Sequence, residues 1–99
     1  MTISGAGGVA ITSIYFSDKF KKQYKKQPTD IQQKTNQKLR DLLASPMPKG
    51  LKFEKLKGYD KPDIYTIHIT GNYKISLEII GNQARLRRIG NHNNIDRTP

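Results

Sequence analysis

The sequence predicts an α+β fold, an N-terminal strand and a helical hairpin packed on an antiparallel β-sheet, and three observations predict it. Apolar residues recur every three or four positions from Phe16 to Leu43, and every second position from Leu51 onward. Gly71-Asn72 and Gly81-Asn82 punctuate the alternating runs as turns, since both residue types tolerate positive φ.

The elements follow in order. Met1 to Ala10 is small and Gly-rich with little to bury, so 1–10 is expected to be a flexible tail and 11–99 the domain. Ile11 to Phe16 mixes β-branched and aromatic residues as a short strand does, and Ser17-Asp18 then supplies a helix N-cap. Phe16, Phe20 and Tyr24 form one thin apolar stripe. Lys19, Lys21, Lys22, Lys25 and Lys26 fill the other positions, either as a solvated face or as a surface for RNA phosphates. Pro28 ends this helix. Thr29 or Asp30 is expected to cap a second one, in which Ile31, Thr35, Leu39, Leu42 and Leu43 share a face until Ser45-Pro46-Met47-Pro48 stops it.

From Gly50 the period is two: Leu51 and Phe53, then Tyr65, Ile67 and Ile69, then Tyr73, Ile75, Leu77 and Ile79. A two-residue turn at Gly71-Asn72 would put the apolar residues of its two strands on opposite faces. A three-residue loop of Thr70, Gly71 and Asn72 pairs Ile67 with Ile75 and sets His68 opposite Lys74 on the polar face. Ile64 breaks the alternation, at a strand start where a loop can cover it. A two-residue loop at Gly81-Asn82 pairs Leu77 with Leu86 and Glu78 with Arg85. That register would next bury Arg88, so a bulge is expected near Arg87-Arg88 to return Ile89 to the core. If the strand runs on, His92 emerges beyond Lys74 and joins it, His68 and Arg87 on one exposed face.

Ninety-nine residues suit one domain with a small core. The absence of cysteine excludes disulfides, thiolate catalysis and Cys-based zinc sites, and no metal or cofactor is expected. No apolar run approaches the roughly 20 residues of a membrane helix, and the N-terminus lacks the basic start of a secretory signal; a cytoplasmic protein without membrane contact is expected. With 18 Lys and Arg against 8 Asp and Glu, the formal charge is +10, which attracts polyanions: nucleic acid or an acidic protein.

Cleavage of RNA by its own 2′-hydroxyl needs a base, an acid for the leaving 5′ oxygen and cations on the phosphate. His92 suits the acid, because histidine's reference pKa is about 6.5, His68 or Glu54 suits the base, and Lys74 and Arg87 suit the phosphate. Lys52, Lys55, Lys57, Arg85 and Arg88 are further cations expected to bind the substrate backbone. Plainer readings stand beside these. His92 is also readable as an exposed polar residue, His68 as a cross-strand partner, and Glu54 as a partner of Lys52 or Lys55.

Phe20 to Tyr24, the Leu-rich second helix, Leu51-Lys52-Phe53-Glu54-Lys55-Leu56-Lys57-Gly58, Asn72-Tyr73-Lys74-Ile75 and Arg88-Ile89-Gly90-Asn91-His92 together resemble the RelE/ParE toxin superfamily, over about residues 11 to 95. The resemblance implies a RelE-like curved antiparallel sheet flanked by a helical hairpin. It implies an endoribonuclease toxin (mRNA interferase) that cuts messenger RNA at the ribosome, inhibits translation and is neutralised by a cognate acidic antitoxin. By position, Lys74 falls where RNase members usually place Arg, His92 where several place a catalytic His, His68 at a strand position where related toxins carry a basic residue, and Glu54 near a carboxylate base. Two residues depart from the pattern: Lys cannot hold phosphate in the bidentate way of Arg, and Asn93, Asn94 and Ile95 replace the usual Tyr. The superfamily also includes gyrase inhibitors without a catalytic cluster, so a ParE-like interaction protein and a catalytically weak RNA-binding protein are the alternatives.

Overall fold

The structure, a computed structural model, describes residues 11–44, 48–60 and 63–99, without the side chains of Lys49, Lys57, Tyr59 and Asp60. The expected tail at 1–10 and most of the Ser45-Pro46-Met47-Pro48 stop signal lie outside the described residues. Strand β1 (Ser13–Phe16) leads into helices α1 (Asp18–Lys25) and α2 (Thr29–Leu42). A single 3₁₀ turn, Lys49–Leu51, precedes strands β2 (Glu54–Asp60), β3 (Asp63–His68), β4 (Tyr73–Ile80) and β5 (Gln83–Asn91), and a short helix α3 (His92–Arg97) follows. The strands form one sheet in the order β1-β5-β4-β3-β2, antiparallel except for β1, which pairs parallel to β5.

Ser17 caps α1 as its sequence position suggests, accepting a hydrogen bond from the Phe20 amide at 3.1 Å. The expected cap of α2 does not form. Pro28 holds the N-cap position and no side chain bonds there, while Thr29 is already helical. Instead the Gln32 amide donates to the carbonyls of Tyr24 and Gln27, tying the two helices across their turn. The strand expected from Gly50 starts only at Glu54, because Leu51 closes the 3₁₀ turn with a fully buried side chain and Lys52 adopts a left-handed backbone, φ 51°.

Both hairpin registers follow the hydrophobic pattern. Ile67 pairs with Ile75 and His68 with Lys74; Leu77 pairs with Leu86 and Glu78 with Arg85. Thr70 shapes the first turn by accepting from the Asn72 and Tyr73 amides, whereas Gly81 supplies the second through a positive φ of 59°. The predicted bulge is present. Leu77 pairs with Leu86 but Ser76 with Arg88, so Arg87 is the extra residue and Ile89 returns to the core opposite Ile75. Helix α1 binds both ends of this irregularity: Ser17 Oγ donates to the Arg87 carbonyl at 3.3 Å, and Gln23 Oε1 accepts from the Ile89 amide at 3.0 Å.

The helix-facing side of the sheet buries Ile67, Ile75, Leu77, Leu86 and Ile89 against Phe20, Leu39, Leu42 and Leu51. Phe20 alone, fully withdrawn from water, contributes about 1.5–3 kcal/mol of transfer free energy. The opposite side departs from expectation. It does not stay exposed: β5 ends at Asn91 and the chain turns back as α3 against β4 and β5, burying Ile95 and pairing Asp96 with Lys74, and Thr66 and Ser76 on this side are buried too. Asn91 starts that helix by accepting from the Asn93 amide at 2.9 Å.

Candidate acid–base site under the C-terminal helix

His68 is the last residue of β3 and Lys74 sits opposite it on β4, so the short turn between them brings imidazole and ammonium to one end of the sheet. Glu54, the first residue of β2, is placed by its pairing with Thr66, and its carboxylate lies 3.9 Å from His68 Nε2. His92 opens α3, anchored by its amide donating to the Asn72 carbonyl at 2.7 Å. The His68 and His92 rings meet edge to face, centroids 6.0 Å apart. The sheet thus brings His68, His92, Lys74 and Glu54 together.

Asp96 completes the group, and the sequence reading missed it. Its Oδ1 pairs with Lys74 Nζ at 2.9 Å and its Oδ2 stands 3.3 Å from His92 Nδ1. A strand continuing through His92 would have sent Asp96 elsewhere; a helix puts it four residues on, over His92. The signal was available, since Asn91 before His92-Asn93-Asn94-Ile95 is a helix-capping residue followed by a short polar turn.

The electrostatics separate the two cations expected on the phosphate from that role. Lys74 is only 5 % exposed, and its carboxylate partner offsets the charge it buries. Arg87, expected to converge with the histidines, turns away because it is the bulged residue: it pairs with Glu78 at 2.6 Å and donates to the Pro99 carbonyl at 3.2 Å. His68 is held below its ordinary pKa, first by burial and then by the positive charge of Lys74, with Lys52 and His92 adding and Glu54 opposing. It is therefore a neutral acceptor at neutral pH.

Of the other cations, Lys52 is exposed and near enough to act on His68. Lys55 pairs with Asp63 at 3.4 Å. Arg85 lies over the Tyr15 ring, 4.7 Å from its centroid, and Arg88 donates to the Thr98 carbonyl at 2.7 Å. The Lys57 side chain lies outside those described. Arg85, Arg87 and Arg88 line a separate cleft with Tyr15, Ser17 and Lys19, rather than continuing the histidine group. Among the described residues, no group of three or more His, Cys, Asp or Glu is placed to hold a metal ion.

No protein-family model matches the chain, and no curated protein matches it significantly. Solved structures do. The toxin fold of a RelB-RelE antitoxin-toxin complex from Methanococcus jannaschii superposes with a TM-score of 0.67 at 29% identity, covering 86% of this chain and 99% of that one. A DinJ-YafQ toxin-antitoxin complex from E. coli gives 0.65 at 19% identity, covering 83% and 93%. An archaeal RelE-RelB complex from Pyrococcus horikoshii gives 0.64 at 15%, covering 80% and 92%. A helical hairpin on a five-stranded mixed sheet is the architecture this chain shares with those toxins. The chain shares the fold of RelE-like toxins, and its likeness to the archaeal RelE supports assignment to that superfamily.

Proposed function

We propose that this chain is the toxin of a type II toxin–antitoxin system and acts as a ribosome-dependent endoribonuclease on messenger RNA. The observation that carries the reading is the meeting of His68 and His92 at the end of the sheet, one neutral by burial and the other 42 % exposed at its side chain. His68 takes the proton of the RNA 2′-hydroxyl, the resulting oxygen attacks phosphorus, and the 5′ oxygen leaves with a proton from His92. The products are a 2′,3′-cyclic phosphate and a 5′-hydroxyl. Glu54, exposed beside His68, is the second candidate base, and Lys52 is the cation best placed to meet the phosphate. Lys74 acts from beneath, its charge helping to keep His68 unprotonated.

The partner that silences this activity is an acidic antitoxin. Phe16, Phe20, Tyr24 and Leu39 line an apolar groove rimmed by Lys21 and Lys25, which fits an amphipathic acidic segment by shape and charge. The antitoxins in the related complexes support this assignment.

Purified toxin incubated with programmed ribosomes should truncate the messenger at defined positions, leaving the stated end groups. The folded His92→Ala variant should cut about 10²- to 10⁴-fold more slowly. Intact messenger would sink the reading. A second reading, an RNA-binding protein that does not cut, is favoured by Lys74 and Arg87 both being engaged by carboxylates. Binding without cleavage in the same assay would establish it.

A further inference from the structure

We infer that Asp96 is the positioning residue of His92: its carboxylate faces Nδ1 and keeps the proton on that nitrogen, making Nε2 the nitrogen that exchanges protons with substrate. The inference deepens the ribonuclease reading and rests on it for its chemical purpose, but the geometry stands alone. Two contacts fix the carboxylate. Lys74, buried on β4, holds Oδ1 at 2.9 Å, and Oδ2 is thereby directed to His92 Nδ1 at 3.3 Å. The helix carrying both residues is itself pinned, by the His92 amide on Asn72, by Ile95 buried against Gly90, and by Arg88 on the Thr98 carbonyl.

A histidine whose Nδ1–H faces a carboxylate keeps that tautomer when neutral, so Nε2 is left to gain and lose the proton. Without the carboxylate, an imidazole prefers no such arrangement and either nitrogen turns outward. The neighbours facing His92 are His68 from β3, Lys74 from β4 and Asp96 from its own helix, with Glu54 behind His68. Of these only Asp96 places an acceptor beside Nδ1. Lys74 therefore has a structural use despite its burial: it orients the acceptor.

The test is the ¹⁵N spectrum of labelled histidine in the whole chain at about pH 8.5, where an ordinary histidine is neutral. Wild-type His92 should be in the Nδ1–H form. In Asp96→Asn the amide oxygen stays with the Lys74 ammonium, the amide N–H faces Nδ1, and His92 should switch to the Nε2–H form while circular dichroism is unchanged. RNA cleavage by that variant should fall about 10²- to 10⁴-fold. In Lys74→Met, where nothing holds Oδ1, the Nδ1–H preference should weaken toward a mixture of the two tautomers, and an undiminished preference would overturn the orienting role of Lys74. Wild-type His92 in the Nε2–H form, or a tautomer indifferent to Asp96→Asn, would overturn the assignment. The expected tautomers in a wild type that cuts no RNA would uphold Asp96 and retire the ribonuclease reading instead.

Discussion

His68 shows how a strand-end histidine is kept neutral. Burial of the partly enclosed ring lowers its pKa first, Lys74 across the strand pair lowers it further, and Lys52 and His92 add to this against Glu54. The same environment makes stability pH-dependent. Because the folded pKa is lowered, the unfolded chain binds more protons in the window between that lowered value and about 6.5, so stability rises with pH there and the penalty is full below it. Urea unfolding at about pH 5 and about pH 7.5 should show the wild type gaining on His68→Gln as pH rises; a constant gap would contradict it. That His68 and Lys74 are neighbours was legible in the sequence, because the hydrophobic alternation sets the register; His92 joins them through a helix rather than the strand expected, and no register placed Glu54. That Lys74 and Arg87 would meet carboxylates was not legible, since Asp96 and Glu78 reach them through a helix turn and a bulge that pattern alone does not aim.

At the level of elements, the C-terminal helix and the β5 bulge decide the site. The bulge was predictable, because an unbroken register would bury Arg88 beside Ile75; its stabilisation was not, because Ser17 and Gln23 come from a helix some seventy residues away in the chain. Gly90 belongs to the same construction. It pairs with Lys74 across the strands, and a Cβ there would meet Ile95 Cδ1 at 3.7 Å, an ordinary contact. Gly90→Ala should accordingly be tolerated. Gly90→Val needs space that Ile95 fills, and should cost about 1–3 kcal/mol while raising amide exchange across residues 92–98, measured by mass spectrometry. Equal exchange in the two variants would show that α3 does not rest on this contact.

Over the whole molecule, the net charge of +10 survives the internal pairing, and the lysines of α1 stand exposed along one helix face. RNA binding should therefore be dominated by counterion release. Four phosphate contacts on a single strand give a log–log salt slope near about −3, or about a 50-fold loss of affinity between about 50 and 200 mM salt. A slope near zero in a filter-binding titration would exclude this surface as the RNA-binding one.

The sequence by itself determined the class of the fold, the pairing of its hairpins, the bulge and the basic character of the surface. Each of these is dictated locally, by a period of two or of three to four, by turn chemistry and by net charge. Only the tertiary structure decided what covers the polar face. Whether residues after Asn91 extend the sheet or fold back as α3 depends on Ile95 finding a buried seat beside Gly90 and on Asp96 finding Lys74, contacts between segments distant in sequence. That choice turns an exposed row of cations into a partly covered cluster of paired histidines, lysine and carboxylates.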